Sequence, residues 1–211
     1  MDLPARKRRL RKAMVERILA LDPADRRDQE ATLAARFRDL PGFDAAGSVL
    51  LYVTAFPEEI ATRSMLEFAL ERGKRLVCPR VDRVQRRLRL YRVEDLHADF
   101  QRGMLGIPEP RDGCPEVEPG QVDWVLVPGL AFDARGFRIG RGAGHYDRLL
   151  PTLRDEVPRW ALAFDCQMVD ALPVEPHDVS LDGVVSPRTT VAWARPEVVG
   201  ADTPQVDSDR P

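Results

Sequence analysis

The chain has 211 residues, of which 44% are hydrophobic and 31% charged, and its formal net charge is −2. This length allows one domain with a substantial core, and the near-neutral charge gives no general attraction to nucleic acid or membranes. Three widely spaced cysteines without a CxxC pair indicate neither a disulfide framework nor a zinc site. No apolar run reaches about 18 residues and no signal peptide is evident. We therefore expect a cytoplasmic protein with a single domain at 1–195 and a disordered tail at 196–211.

Two amphipathic helices are predicted at the start of the chain. The first places apolar side chains on one face and basic side chains on the other, namely Lys7, Arg8, Arg9, Arg11 and Lys12. The second begins at Asp22-Pro23, because Asp is a favourable N-cap and Pro a favourable first helical residue. It ends at the Pro41-Gly42 break.

The next part of the chain alternates strand-like and helix-like patterns. A helix is predicted at 60–73, where Gly73 closes it. Buried-type strands are predicted at 48–54, 74–81, 122–129, 159–164 and 182–186. The run at 87–93 alternates basic and apolar residues, which is typical of a half-exposed strand toward a sheet edge. Together these patterns favour an α/β fold, with a mainly parallel sheet, helices on both faces and a Rossmann-like three-layer architecture.

Residues 140–148, GRGAGHYDR, place three glycines at alternate positions between a predicted strand and a helix that starts near Tyr146. Successive backbone N–H groups and a helix N-terminus favour a bound anion. The loop lacks the GK[ST] ending of a P-loop and the spacing of a dinucleotide-binding fingerprint. Taken alone, it is as consistent with a structural turn as with a phosphate site.

A longer string, PGLAFDARGFRIGRGAGHYDR, resembles the signature of the 5-formyltetrahydrofolate cyclo-ligases, also called methenyltetrahydrofolate synthetases. Other stretches resemble the same family in the same order: KRRLR (7–11), EEIAT (58–62), GIPEP (106–110) and HDVSLDGVVS (177–186). The resemblance implies an ATP- and Mg²⁺-dependent ligase. Its reaction would convert 5-formyltetrahydrofolate to 5,10-methenyltetrahydrofolate through a phosphorylated formyl intermediate, with release of ADP and phosphate.

The resemblance also implies roles for individual residues. Those implied for ATP binding are Lys7, Arg11, Arg138, Ile139, Gly140, Arg141, Gly142, Ala143, Gly144, His145 and Tyr146. Those implied for substrate binding are Glu59, Arg141, Gly142, Ala143, Gly144 and His145, with Glu58 as the adjacent alternative to Glu59. Those implied as catalytic are Arg141, Gly142 and Tyr146, and Asp147 and Asp178 are implied as Mg²⁺ ligands.

The sequence departs from the family pattern at two positions of the loop. Ala143 stands where lysine or glycine is common, and His145 stands where the first of two tyrosines is usual. An imidazole at this place can titrate near neutral pH. Asp133, in the segment FDARG, is interpreted as a turn-forming residue and is left out of the site.

Two alternative functions stay open at this point. One is a family relative that binds nucleotide or folate without this turnover. The other is a nucleic-acid-binding protein that uses the basic first helix, which the near-neutral charge disfavours. The expected partners are ATP and a reduced folate, without nucleic acid or membrane, and the expected state is a monomer.

Overall fold

A computed structural model describes residues 2–103 and 106–193; the expected tail and the end of the expected domain lie outside this range. The helices are α1 (Leu3–Leu19), α2 (Pro23–Phe37), α3 (Arg63–Glu71) and α4 (His145–Leu149). The strands are β1 (Ser48–Leu50), β2 (Arg75–Asp82), β3 (Arg87–Val93), β4 (Phe100–Arg102), β5 (Pro108–Pro110), β6 (Glu116–Val117), β7 (Trp124–Leu126), β8 (Ala131–Asp133), β9 (Arg138–Ile139), β10 (Arg159–Leu162), β11 (Met168–Val169), β12 (Gly183–Val185) and β13 (Thr190–Ala192).

The central sheet has eight strands in the order β13-β12-β10-β7-β1-β2-β3-β6. The five strands from β12 to β2 run parallel, whereas β13, β3 and β6 add antiparallel edges. The predicted α/β class is confirmed, but the parallel part is only the centre of the sheet. Strand β3 lies one position from the edge, which fits its alternating sequence.

Helices cover both faces of the sheet. On one face, Met14 of α1, Leu33 of α2 and Met65 of α3 belong to one apolar core. On the other face, Leu149 of α4 packs in a second core with Val125 of β7. This arrangement is the three-layer architecture predicted from the alternating patterns.

Several predicted boundaries are confirmed at their capping residues. The carboxylate of Asp22 accepts a hydrogen bond from the N–H of Ala24 at 2.8 Å, at the start of α2. After α3, Gly73 has a φ of +69°, a conformation that favours glycine. The strand predicted at 48–54 ends at Leu50, and residues 51–62 form an irregular segment. This segment leaves the sheet at the carboxyl end of β1.

Asp133 forms the turn between β8 and β9, as predicted. Its fully buried carboxylate accepts hydrogen bonds from the N–H groups of Arg135, Phe137 and Leu172 at 3.0, 3.2 and 2.9 Å. One carboxylate therefore holds the turn and attaches it to a distant segment. The turn sets the direction of β9, which leads into the glycine loop.

Cys78, Cys114 and Cys166 are free cysteines, as the absence of a disulfide pattern predicted. Within the described part of the chain, no helix combines the length and the apolar character needed to span a bilayer.

Candidate active site

The candidate site lies where connecting segments leave the carboxyl ends of the central parallel strands. Segment 51–62 follows β1, and the β8–β9 hairpin and the glycine loop follow β7. The side chain of Gln167, just after β10, donates to the carbonyl oxygen of Gly129 at 2.9 Å and so holds these segments together. Ligands of open parallel sheets bind outside this edge.

The glycine loop, residues 140–144, needs glycine at two positions. Gly142 and Gly144 have φ values of +108° and +65°, which side chains rarely adopt. The helix start near Tyr146 is confirmed, but α4 has only five residues because a 3₁₀ turn containing Pro151 follows it. Such a short helix has a small dipole, so anion binding depends on the loop N–H groups and nearby cations.

Helix α1 contacts this loop through Arg11. The Nε of Arg11 donates to the carbonyl oxygen of Gly140 at 2.9 Å. Its guanidinium group also lies against Gly142, where an added Cβ would be 3.3 Å from the Cζ of Arg11. The basic first helix is therefore connected to the glycine loop.

Lys7, one helical turn earlier, is buried rather than part of a solvated face. Its Nζ bonds to a carboxylate oxygen of Glu175 at 2.8 Å and of Asp178 at 2.6 Å. Burial lowers the pKa of Lys7, but the two carboxylates outweigh burial, so its pKa is raised. Burial raises the pKa of Asp178, but the hydrogen bond from Lys7 outweighs it, and the net pKa is lowered. Both groups are thus charged at neutral pH.

Asp147, the other predicted metal ligand, is held by a different cation. Its carboxylate accepts a 2.8 Å hydrogen bond from Arg138, whose side chain is 3% exposed. The Nε of Arg138 is buried without a hydrogen-bond partner among the described residues, and so is the hydroxyl group of Tyr146. The guanidinium group of Arg138 lies near the ring of Tyr146. A polar ligand bound here could form hydrogen bonds with both atoms.

Arg141 extends from the loop toward the segment after β1. Its guanidinium group pairs with the buried carboxylate of Glu58 and lies 3.5 Å from the ring centroid of Phe56. The neighbouring Glu59 instead turns back, and its Oε2 accepts from the N–H groups of Ala55 and Phe56 at 2.7 and 3.2 Å. The two glutamates therefore have different surroundings.

The Glu59 carboxylate lies in a buried region with two tyrosines. Burial raises the pKa of Glu59, although the two backbone N–H groups oppose the shift. Burial, together with the charge of Glu59, also raises the pKa of Tyr52 and of Tyr146. Tyr146 of the loop therefore lies close enough to Glu59 of the segment after β1 for the charge of Glu59 to affect it.

His145 and Ala143, the two departures from the family pattern, meet at one arginine. Arg148 donates to the carbonyl oxygen of Ala143 at 2.9 Å and lies 3.2 Å from the Nδ1 of His145. It also donates through its Nε to the carbonyl oxygen of Arg86, at the tip of the β2–β3 hairpin, at 3.0 Å. Burial, followed by the charge of Arg148, lowers the pKa of His145, so its neutral form is favoured.

Some implied residues stand apart, and some site residues had no assigned role. The side chain of Ile139 lies in the apolar core, and its carbonyl oxygen accepts from Leu130, so that side chain is not available to a ligand. Glu175 and His177 join Asp178 in a group whose ligand atoms lie within 4.8 Å of one another. His177 begins the quoted HDVSLDGVVS stretch, whereas Glu175 and Phe56 carried no sequence signal.

Contacts therefore connect four separate parts of the chain at this edge of the sheet. Helix α1 meets the glycine loop and segment 175–178, and the glycine loop meets segment 51–62. The two predicted metal ligands lie in separate ion pairs, Asp147 with Arg138 and Asp178 with Lys7. The arrangement offers cations, backbone N–H groups and carboxylates, which suits a phosphorylated ligand.

Comparisons with known proteins agree with this chemistry. The family model for the 5-formyltetrahydrofolate cyclo-ligase family matches residues 4–187. The 5-formyltetrahydrofolate cyclo-ligase of Escherichia coli (strain K12) is 29% identical over 180 residues, which cover 84% of this chain and 98% of that protein. The enzyme of the same name from Mycolicibacterium smegmatis is 29% identical over 195 residues, covering 91% and 99% of the two chains.

The fold is similar to that of a solved family structure. The NMR structure of Aquifex aeolicus 5,10-methenyltetrahydrofolate synthetase superimposes with a TM-score of 0.78 at 29% sequence identity. The similarity covers 94% of this chain and 98% of that chain. The chain thus belongs to the 5-formyltetrahydrofolate cyclo-ligase family.

Proposed function

We propose that this protein uses ATP and Mg²⁺ to convert 5-formyltetrahydrofolate to 5,10-methenyltetrahydrofolate, releasing ADP and phosphate. The relatives carry the name of this reaction or of its product. The observation that supports the proposal best is the junction of α1, the glycine loop, segment 51–62 and segment 175–178. It brings together cations of the type that binds phosphate and a buried carboxylate.

The chemistry explains why such a site is needed. The formyl oxygen is a poor leaving group, so the terminal phosphoryl group of ATP is transferred to it and ADP leaves. Nitrogen 10 of the folate then attacks the formyl carbon and loses its proton, and the carbon–oxygen bond breaks to release phosphate. The protein mainly has to position the reactants and neutralise charge.

The cations of the site would bind the phosphate groups. Arg141 and the N–H groups of Gly142 and Gly144 would contact the transferred phosphoryl group, and Lys7 and Arg11 would contact the rest of the triphosphate. Arg141 and Lys7 are both paired with carboxylates. Phosphate binding would therefore replace existing ion pairs, and this exchange reduces the net free energy gained on binding.

The carboxylates of the site fit a hard divalent cation. Asp178 and Glu175 both present oxygen atoms, the ligand type that Mg²⁺ prefers, within one small group. The side chain of Asp147 is partly exposed, so one carboxylate oxygen can contact a ligand while the other keeps its hydrogen bond to Arg138. We assign Asp147 and Asp178 as the residues that would hold Mg²⁺. When bound, this ion would neutralise negative charge on the phosphates.

Glu59 would contact the pterin ring of the folate. Both hydrogen bonds described for its carboxylate end on Oε2, so Oε1 can accept from a ring N–H or amino group. Burial raises the pKa of Glu59 and so disfavours its charged form. A hydrogen bond from the substrate would stabilise that charged form. Glu58 would instead hold Arg141 until the phosphate groups arrive.

The test is spectroscopic. Purified protein is mixed with 5-formyltetrahydrofolate and MgATP, and the methenyl chromophore and ADP are followed together. We expect both products in equal amounts, and neither without ATP or after chelation of divalent metal. A folded protein that binds both ligands but releases no ADP would support a relative without turnover and would reject the proposal.

The proposal extends to the state of the protein. It would act as a cytoplasmic monomer with one domain at 1–195, and without nucleic-acid or membrane partners. Size-exclusion chromatography with light scattering checks the monomer, and deletion of the tail should leave turnover unchanged.

A further inference from the structure

Helix α2 reaches the candidate site through one side chain, that of Arg26. The Nη2 of Arg26 donates to the carbonyl oxygen of Glu59 at 2.8 Å. Its Nε donates to the carboxylate of Glu30, one helical turn further along α2, at 3.2 Å. None of the stretches that resemble the family lies in α2, so the sequence gives this helix no functional signal. The role of Arg26 follows from its contacts alone.

The position of Arg26 within α2 does not favour the helix itself. Arg26 is the fourth residue of the helix, near the end that carries a partial positive charge, and a cation at this place opposes the helix dipole. The pair with Glu30 offsets little of this effect, because an i,i+4 pair is weak and is weaker still when the cation is nearer the N-terminus. The stability of α2 therefore gives no reason for an arginine here.

The guanidinium group of Arg26 is fixed in orientation. Its side chain is 22% exposed, and its Cζ lies 5.1 Å from the centroid of the Phe164 ring. Phe164 is fully buried just after β10, so this ring is a rigid support. A guanidinium group is planar and its N–H groups point in fixed directions. The ring and Glu30 therefore also fix the direction in which Nη2 donates to Glu59.

Segment 51–62 depends on hydrogen bonds from side chains, because it forms neither a helix nor a strand. From within the segment, the hydroxyl group of Thr54 donates to the carbonyl oxygen of Ile60 at 2.8 Å. From outside it, Arg26 donates to the preceding carbonyl oxygen, that of Glu59. Peptide groups are planar, so fixing two successive carbonyl groups fixes the backbone on the carboxyl side of Glu59. The direction in which the Glu59 side chain leaves the backbone is thereby set.

We propose that Arg26 is a positioning residue for the folate, which acts through the backbone of Glu59. The inference rests on the proposed function, because that function assigns Glu59 to the pterin ring. Arg26 does not touch the substrate; it holds the Glu59 carboxylate at the place where the ring N–H groups meet it. Loss of Arg26 should therefore weaken folate binding and leave ATP binding unchanged, since the cations proposed for ATP lie on α1 and the glycine loop.

The test variant is Arg26→Met, which keeps an apolar side chain against Phe164 and removes every donor. We expect the Kd of 5-formyltetrahydrofolate, measured by calorimetry without ATP, to rise about tenfold, because a hydrogen bond from a charged donor is lost. The KM for ATP should not change. Arg26→Lys keeps one donor and should recover part of the affinity. The matched control is Arg27→Met, at the exposed neighbouring position of α2, which should bind the folate normally.

A double-mutant cycle separates positioning from a general loss of structure. If Arg26 acts through Glu59, then Arg26→Met should raise the folate Kd much less in a Glu59→Ala background than in the unaltered protein, because the group that it positions is already gone. Effects of the two substitutions that simply add would overturn the inference. An equal rise of the KM for ATP and the KM for the folate in Arg26→Met would also overturn it, since that pattern indicates packing of α2 only.

A second measurement needs no folate. Amide hydrogen exchange is followed at Phe56 and Glu59, whose N–H groups are hydrogen-bonded within segment 51–62. We expect faster exchange in Arg26→Met than in Arg27→Met, because local opening of the segment becomes easier. Equal exchange in the two variants, or an unchanged folate Kd in Arg26→Met, would overturn the inference. A protein that binds no folate would reject the proposed function, whereas the exchange rates would still show whether Arg26 holds Glu59.

Discussion

The pairing of Asp147 with Arg138 makes Asp147→Asn an informative substitution. The amide keeps an oxygen that can accept from Arg138, whose side chain is 3% exposed, but it removes the negative charge. A buried guanidinium group then has only a neutral partner, and we expect the free energy of unfolding to fall by about 1–3 kcal/mol. The fold should survive this loss.

The effect on turnover should be larger than the effect on stability. If Asp147 holds Mg²⁺, the amide cannot neutralise the ion, and kcat should fall about 100-fold or more with a higher magnesium requirement. Stability is measured by urea unfolding followed through tryptophan fluorescence, because Trp124 and Trp160 are buried. Turnover is measured from methenyl absorbance over a range of magnesium concentrations.

Asp123→Asn is the matched control for a lost carboxylate. Asp123 accepts from the N–H of Ser48 at 2.8 Å and from Arg154 at 2.8 Å, at the start of β1 and β7 on the opposite edge of the sheet. It should lower stability by about 1–2 kcal/mol and leave kcat unchanged. Near-normal turnover of Asp147→Asn at low magnesium would refute the reasoning, and Asp147 would then serve only to hold Arg138.

Four further substitutions test other parts of the site. Arg11→Ala should raise the apparent KM for ATP about tenfold by removing a charged phosphate ligand, whereas Lys12→Ala, 80% exposed on the same helix, should not. Glu59→Gln should raise the KM for the folate, and Glu58→Gln should change kcat instead; the reverse pattern would exchange their roles. His145→Tyr should keep the enzyme active and flatten the pH profile of turnover below about pH 6.5, because the pKa of His145 is lowered, and superimposable profiles would show that His145 only packs.

The lowered pKa of His145 also fixes the sign of an effect on stability. The folded protein binds fewer protons than the unfolded chain in the range just below the ordinary histidine pKa. Stability should therefore be lost as the pH falls below about 6.5, and His145→Tyr should remove that part of the loss. Unfolding curves at several pH values measure it, and equal slopes for both proteins would contradict it.

Local chemistry made much of the fold predictable. Helix α2 starts at Asp22 and α3 ends at Gly73, because capping depends on neighbouring residues only. The five buried-type strands were found because each contains a short apolar run. The segments missed were short strands such as β6 and β13, which have two or three residues and form only through pairing with a neighbour.

Only part of the candidate site was predictable from the sequence. The residues of the glycine loop followed from a long motif, whereas their partners depend on contacts between distant segments. No local pattern indicates that Lys7 is buried against Asp178, or that Glu58 rather than Glu59 pairs with Arg141. Helix α4 has only five residues, so its dipole favours an anion less than the sequence pattern predicted.

The contact between Lys7 and Asp178 has a consequence for synthesis of the protein. These residues are 171 positions apart, and the nucleotide site that we propose uses both. On the ribosome, α1 emerges early but has no acidic partner until segment 175–178 and the strands β12 and β13 have left the exit tunnel. A nascent chain should therefore have no affinity for ATP until segment 175–178 has emerged and paired with α1.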